Sequence, residues 1–295
     1  MALTIMGRPV RLNLDWLKPP PTPPDGSMTL FEHLRELRYR LVIAVGAILI
    51  GMIVSALFYP QLFDILRHPY DVAIANLKEK NPDQVTDLVN LGLTSPFTLA
   101  LKVCMVSGLV LTSPIWLYQL WSFIVPGLLA KEKKWAMIFI GTATPLFIAG
   151  VVVGYLIMPK GITVLLSFTQ DGVANLQNIN DFLSFMLRLM IVFGIAFLIP
   201  LVVLMLNIVG VVKASQLAKA RIYVLFGTFV FGAVATPSTD PFSMLALAIP
   251  MGGLFLVAEA IAHVLDRRKA KRLAAGDGEI VLHDKALDDL DKTKD

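Results

Sequence analysis

Charged and uncharged positions fall in long blocks along this chain. The first block is a charged stretch, Thr29-Leu30-Phe31-Glu32-His33-Leu34-Arg35-Glu36-Leu37-Arg38-Tyr39-Arg40-Leu41, followed by an uncharged run to Tyr59. Thr29 and Glu32 have capping-box spacing, so a helix starts here. Glu36 and Arg40 are four apart and pair along one helical face. A membrane-crossing helix needs about 20 apolar residues. Six blocks meet or approach that length: 38–59, 95–125, 135–158, 181–212, 222–235 and 242–263. Pro60 stops the first. Ser95-Pro96 opens the second as a cap followed by a first-turn proline. Pro114, Pro145, Pro200 and Pro250 lie inside four of the spans. Each removes a backbone hydrogen bond and predicts a kink. The fold expected is an all-α integral membrane protein with six spans, several of them proline-kinked, in a curved bundle.

The fifth block holds fourteen residues, about 21 Å of helix against a core about 30 Å thick. Local thinning of the bilayer around the fifth and sixth spans is the expectation. Two loops, 60–94 and 159–180, are long enough to cap one end. The chain before the first span contains Pro19-Pro20-Pro21-Thr22-Pro23-Pro24 and no apolar signal region, so 1–28 reads as an extended, disordered leader. The charged end, 266–295, reads as a disordered tail.

Composition supports the membrane class. Of 295 residues 56% are hydrophobic and 16% charged, with mean hydropathy +0.70. Soluble domains carry roughly a quarter charged residues. The net charge of +4 sits beside the spans, where lipid and topology account for it, and nucleic acid is not implied. Lys and Arg concentrate at 35–40, 131–134, 213–221 and 267–272. With six spans these share one side, which places both termini in the cytoplasm. The single cysteine, Cys104, reads as a small core residue.

Little here suggests chemistry on a substrate. No phosphate loop, zinc pair or nucleophile elbow is present. The four histidines are scattered, and neither a metal nor a cofactor is expected. Ion-coupled transporters need ionisable residues at mid-membrane. Arg188 is the exception found, and outward snorkelling accounts for it. Glu259, near the inner end of the last span, reads as a carboxylate seeking the surface. A secondary transporter or channel with its own small-solute pathway is therefore the second reading. What remains is a cytoplasmic face with two carboxylates among cations: Glu36, and Glu132 in Leu128-Leu129-Ala130-Lys131-Glu132-Lys133-Lys134. A carboxylate in a partly apolar setting is a bidentate partner for guanidinium.

From Met28 to Glu259 the chain resembles the TatC family, the multispanning subunit of the twin-arginine protein translocase. The resemblance is carried by 33–41, by Ser95-Pro96-Phe97, and by Tyr118-Gln119-Leu120-Trp121-Ser122-Phe123-Ile124-Val125-Pro126-Gly127-Leu128. It continues through Thr236-Pro237, Asp240-Pro241-Phe242 and Ala248-Ile249-Pro250. It implies a receptor, not an enzyme. Such proteins bind twin-arginine signal peptides of folded cargo in the inner membrane. They work with single-span TatA/TatB-type partners, in an oligomeric complex driven by the proton-motive force. Glu36 and Glu132 then match the acids that meet the arginine pair, with Arg38, Phe123 and Leu37 in the same site. Pro69, Tyr155, Asp240 and Met244 match positions tied to transport or partner contact. Three positions depart from the family: Leu198 and Leu256 stand where glutamate is frequent, and Met244 where glutamine is.

Overall fold

The computed structural model describes residues 3–5, 8–10, 30–80, 86–124, 133–169, 175–235 and 241–274. Eight helices lie among them: α1 (Leu30–Leu57), α2 (Tyr59–Lys80), α3 (Ser95–Leu111), α4 (Ser113–Ile124), α5 (Lys133–Leu166), α6 (Ile179–Val209), α7 (Ala214–Ala235) and α8 (Pro241–Ala274). Five of these are long and apolar enough to cross a membrane. Counted as one span, the pair α3 and α4, bent by 65°, makes a sixth. The expected all-α membrane architecture is present. Two short strand pairs are added to it: antiparallel β1 (Leu3–Ile5) with β2 (Arg8–Val10), and parallel β3 (Thr86–Val89) with β4 (Asn175–Asn178). The first pair falls inside the segment expected to be a disordered leader.

The bend between α3 and α4 sits where the sequence places it. Pro114 has no N–H for the carbonyl four residues back. The chain turns at Thr112, whose hydroxyl and N–H both bond the Gly108 carbonyl, at 2.8 and 3.0 Å. The Trp116 indole donates to the Leu109 carbonyl at 2.9 Å. A donor for a backbone acceptor near the break is thus supplied from inside the protein, as lipid requires. Pro145, Pro159, Pro200 and Pro250 lie inside continuous helices.

Several boundaries differ from expectation. The first long loop contains α2, because Pro60 occupies a first turn, where its missing N–H costs nothing. Leu66, Tyr70, Ala73 and Leu77 form its buried stripe, at the three- and four-residue spacing of a helix packed on one side. It packs on α5. Helix α5 runs through Pro159 to Leu166. The fifth span is a 22-residue helix, about 33 Å long, so the expected thinning loses its basis. The last helix reaches Ala274, beyond the boundary expected for the tail.

The chain divides into two compact units, Met1–Ile191 and Val192–Asp295. In the first, α1 packs on α3 and α4, and α4 on α5. Trp121 stacks on Phe139 with ring centroids 4.0 Å apart. Small residues Ala47, Gly51 and Ser55 line the buried side of α1. At the crossing of α1 and α3, a Cβ on Gly108 would stand 2.5 Å from the Met52 nitrogen, and one on Gly51 would stand 2.7 Å from the Gly108 carbonyl oxygen. Such close backbone approach is how helices gain packing contact in a membrane. In the second unit α7 packs on α8. Phe255, Leu217, Ala214 and Ala262 form its buried cluster, with Val203, Leu204, Val212 and Val224 against it. The Asp266 carboxylate accepts the Ala214 N–H at 2.9 Å, capping α7 from α8.

The crossing makes a stability prediction. Gly108→Ala is expected to destabilise the protein by about 1–3 kcal/mol through overpacking against backbone. Gly141→Ala, where a Cβ meets nothing within 4 Å, should be neutral. Thermal unfolding in detergent checks both, and matching melting temperatures would show that the helices part freely.

Candidate functional site

The first three turns of α1 and the last two of α4 build the site. His33, Glu36 and Arg40 recur at three- and four-residue spacing, so they share one face of α1. Gln119 and Phe123, four apart, share a face of α4. These two faces meet. The His33 and Phe123 rings stack with centroids 4.5 Å apart and an interplanar angle of 13°. The Arg40 guanidinium donates to the Gln119 side-chain carbonyl at 3.4 Å.

Glu36 lies in this seam and is 3% exposed. Its Oε1 accepts both Nε and Nη2 of Arg40, at 2.9 and 2.5 Å, which is the pairing the spacing predicts. Its Oε2 is buried and accepts no hydrogen bond from a described residue. An ionised carboxylate offers about four lone-pair sites, and a buried oxygen left without a donor is costly. Among the described residues the seam therefore encloses a carboxylate that is only half satisfied. Arg38 and Leu37 are on exposed positions of the same helix. Glu132 and Asp240 lie outside the described residues. Gln119 is a site residue that sequence reasoning missed, although its four-residue offset from Phe123 carries the signal.

Pro69 and Tyr155, well separated in sequence, come together. Pro69 is fully buried inside α2 and has no N–H for the Ile65 carbonyl. The Tyr155 hydroxyl, from α5, donates to that carbonyl at 2.9 Å. Tyr155 thus fills the hydrogen bond that the proline leaves open. Next to Pro69, the Tyr70 hydroxyl is buried without a described partner, and its ring meets Phe182 edge-on at 5.2 Å. Burial first, then Asp87 and Asp71, push the Tyr70 phenol up to about 12.

In the second unit, Met244 is half-buried in the first turn of α8, and its carbonyl lies 3.0 Å from where a Gly232 Cβ would be. Glu259, expected to seek the surface, is instead buried and takes both Nε and Nη2 of Arg221, at 2.9 and 2.5 Å. This pair ties α7 to α8. Leu198 is buried and Leu256 exposed. Lys102, a second cation inside the spans, also escapes a reading of the sequence alone. It donates to the Asn180 and Ser184 side chains at 3.0 and 2.8 Å.

These features define a polytopic integral membrane protein with a buried, half-paired carboxylate at one end of its first span. The family model described as TatC, the Sec-independent protein translocase protein, matches residues 32–250. The TatC protein of Frankia casuarinae is 42% identical over 252 residues, covering 84% of this chain and 69% of that one. That of Aquifex aeolicus is 34% identical over 245 residues, covering 82% and 98%. The crystal structure of the twin arginine translocase receptor TatC in DDM superimposes with a TM-score of 0.65 at 33% identity, over 78% of this chain and 99% of that one. The chain belongs to the TatC family of protein translocase components.

The Pro69–Tyr155 arrangement is testable by a double-mutant cycle. Tyr155→Phe should cost about 1 kcal/mol in thermal unfolding. In a Pro69→Ala background that cost should vanish, because the substituted residue would supply the N–H. Additive effects would show that the hydroxyl does not serve the proline's carbonyl.

Proposed function

We propose that this protein is the receptor and core subunit of a twin-arginine translocase, exporting folded cargo across the cytoplasmic membrane with the proton-motive force. The observation that carries the reading is Glu36. A buried carboxylate with one oxygen engaged and the other lacking a described donor is an acceptor that the planar fork of an arginine guanidinium satisfies once the seam admits it. Lysine, a point donor, does not match that fork. Glu132, from the connection between α4 and α5, supplies the second carboxylate for an arginine pair. Phe123 and Leu37 supply apolar contact beside the guanidinium groups, and Arg38 holds its place at the rim. The signal's apolar segment then lies along lipid-accessible helix surface.

The concentration of Lys and Arg in alternate connections supports cytoplasmic termini and a cytoplasmic position for this site. Pro69, Tyr155, Asp240 and Met244 belong to transport or partner contact. The partners are small single-span TatA/TatB-type subunits. The outward face of α7, with Tyr223, Phe226 and Val230 exposed, supports their docking there.

Two outcomes follow. Glu36→Gln should weaken binding of a twin-arginine signal peptide by about 2 kcal/mol, roughly thirtyfold, whereas Leu34→Ala should change it far less. A twin-lysine peptide should bind the wild type more weakly. Fluorescence binding or crosslinking measures both, and equal affinity for Glu36→Gln and wild type would overturn the assignment. For the partner, a photocrosslinker at Phe226 should capture a small single-span protein in native membranes, and failure to do so removes α7 as the dock.

A further inference from the structure

Lys102 and Arg188 have no part in the peptide site, and both are cations inside apolar helices. Lys102 is the eighth residue of α3, and Arg188 the tenth of α6. Neither forms an ion pair with a described residue. Among the described residues Lys102 is held by neutral partners alone. Its ammonium donates to Asn180 Oδ1 and Ser184 Oγ, and Asn180 in turn donates to Ser95 Oγ at 3.0 Å. An ammonium has three donors, so one remains. Ser184 precedes Arg188 by one helical turn, which puts the two cations on neighbouring parts of the same helix end. Arg188 itself is exposed on the outer side of α6. The nearest acid in sequence, Asp181, is turned to the amide of Asn178, at 3.1 Å.

Their depth identifies what they meet. After Arg188, positions 189–208 are uncharged. Those twenty residues make about 30 Å of helix, the thickness of the hydrocarbon core. After Lys102, positions 103–124 are also uncharged. By this measure Arg188 stands where the hydrocarbon ends and the headgroups begin, and Ser184, one turn before it, holds Lys102 near that level. Side chains on a helix lean toward its N-terminus, and the N-terminus of α6 lies on the headgroup side of Arg188. The guanidinium is thus carried toward the phosphate level. A partner helix would have to bury a carboxylate of its own at this depth, whereas lipid phosphates already occupy it.

We propose that Arg188, with the free donor of Lys102, forms a binding site for the phosphate of a phospholipid in the leaflet at the N-terminal end of α6. Arg188 supplies a two-pronged donor and the ammonium a third hydrogen bond, which together suit the two non-bridging oxygens of a phosphodiester. The site does not depend on the peptide reading.

Native mass spectrometry of the full-length protein, offered phosphatidylglycerol or a phosphate-free diacyl glucosyl lipid, tests it. The wild type should retain phosphatidylglycerol and discriminate against the glucosyl lipid. Arg188→Gln, at an exposed position whose loss leaves the fold intact, should weaken retention about tenfold, and Arg188→Lys should restore part of it. A photocrosslinker at position 188 in native membranes should form adducts with phospholipid. Equal retention by wild type and Arg188→Gln, or crosslinking at 188 to a protein alone, would overturn the site. Twin-arginine peptide binding by Arg188→Gln is expected to match the wild type, so this proposal and the receptor assignment fail separately.

Discussion

A backbone carbonyl that loses its helical donor inside a bilayer has no water to turn to. Two prolines show how an opened carbonyl is answered from inside the protein: Pro114, in the bent pair of α3 and α4, and Pro69, in α2, which is not one of the apolar spans. At Pro114 the helix breaks, and Thr112 and Trp116 provide the nearby donors. At Pro69 the helix continues, and a tyrosine from another helix provides the donor. Each of these two prolines therefore recruits a specific partner side chain. In the second case the recruitment joins α2 to α5. The carbonyl that the proline leaves open is then the acceptor of a tertiary contact.

The buried charges obey the same constraint. Glu36 is stabilised by Arg40 on its own helix, Glu259 by Arg221 on a neighbouring one, and Lys102 by neutral oxygens. Glu259 and Arg221 satisfy each other, with both carboxylate oxygens engaged. That suits a structural tie. Glu36 has one oxygen paired and one without a described donor. The two carboxylates thus differ by one unfilled acceptor.

The spans were legible because lipid imposes a single rule, the long uncharged run, which needs no knowledge of neighbours. The Glu36–Arg40 pair was legible because an offset of four is local geometry. The rest depended on distant partners. Helix α2 was hidden because acidic and basic residues interrupt its apolar stripe, which is buried on one side only. The fifth span reads as short from sequence because Lys219 and Arg221 look like loop, and Arg221 is tolerated within the helix by its pairing with Glu259. Lys102 lies within the second apolar block, and its partners Asn180 and Ser184, about eighty residues away, are not visible in any local pattern. Gln119 and His33 belong to the site only through the docking of α4 on α1, which no local pattern specifies.

The parallel pairing of β3 with β4 sets an order of assembly. Strand β3 precedes α3, and β4 follows α5, so the whole of α3, α4 and α5 lies between the two. As the chain leaves the ribosome, β3 waits unpaired until three further helices have been made and inserted. Closing the ladder then records that those insertions have ended with both strands on the same side of the bilayer. A span left in the wrong direction would strand β4 across the membrane from its mate. The short sheet thus acts as a topological receipt for the first part of the molecule.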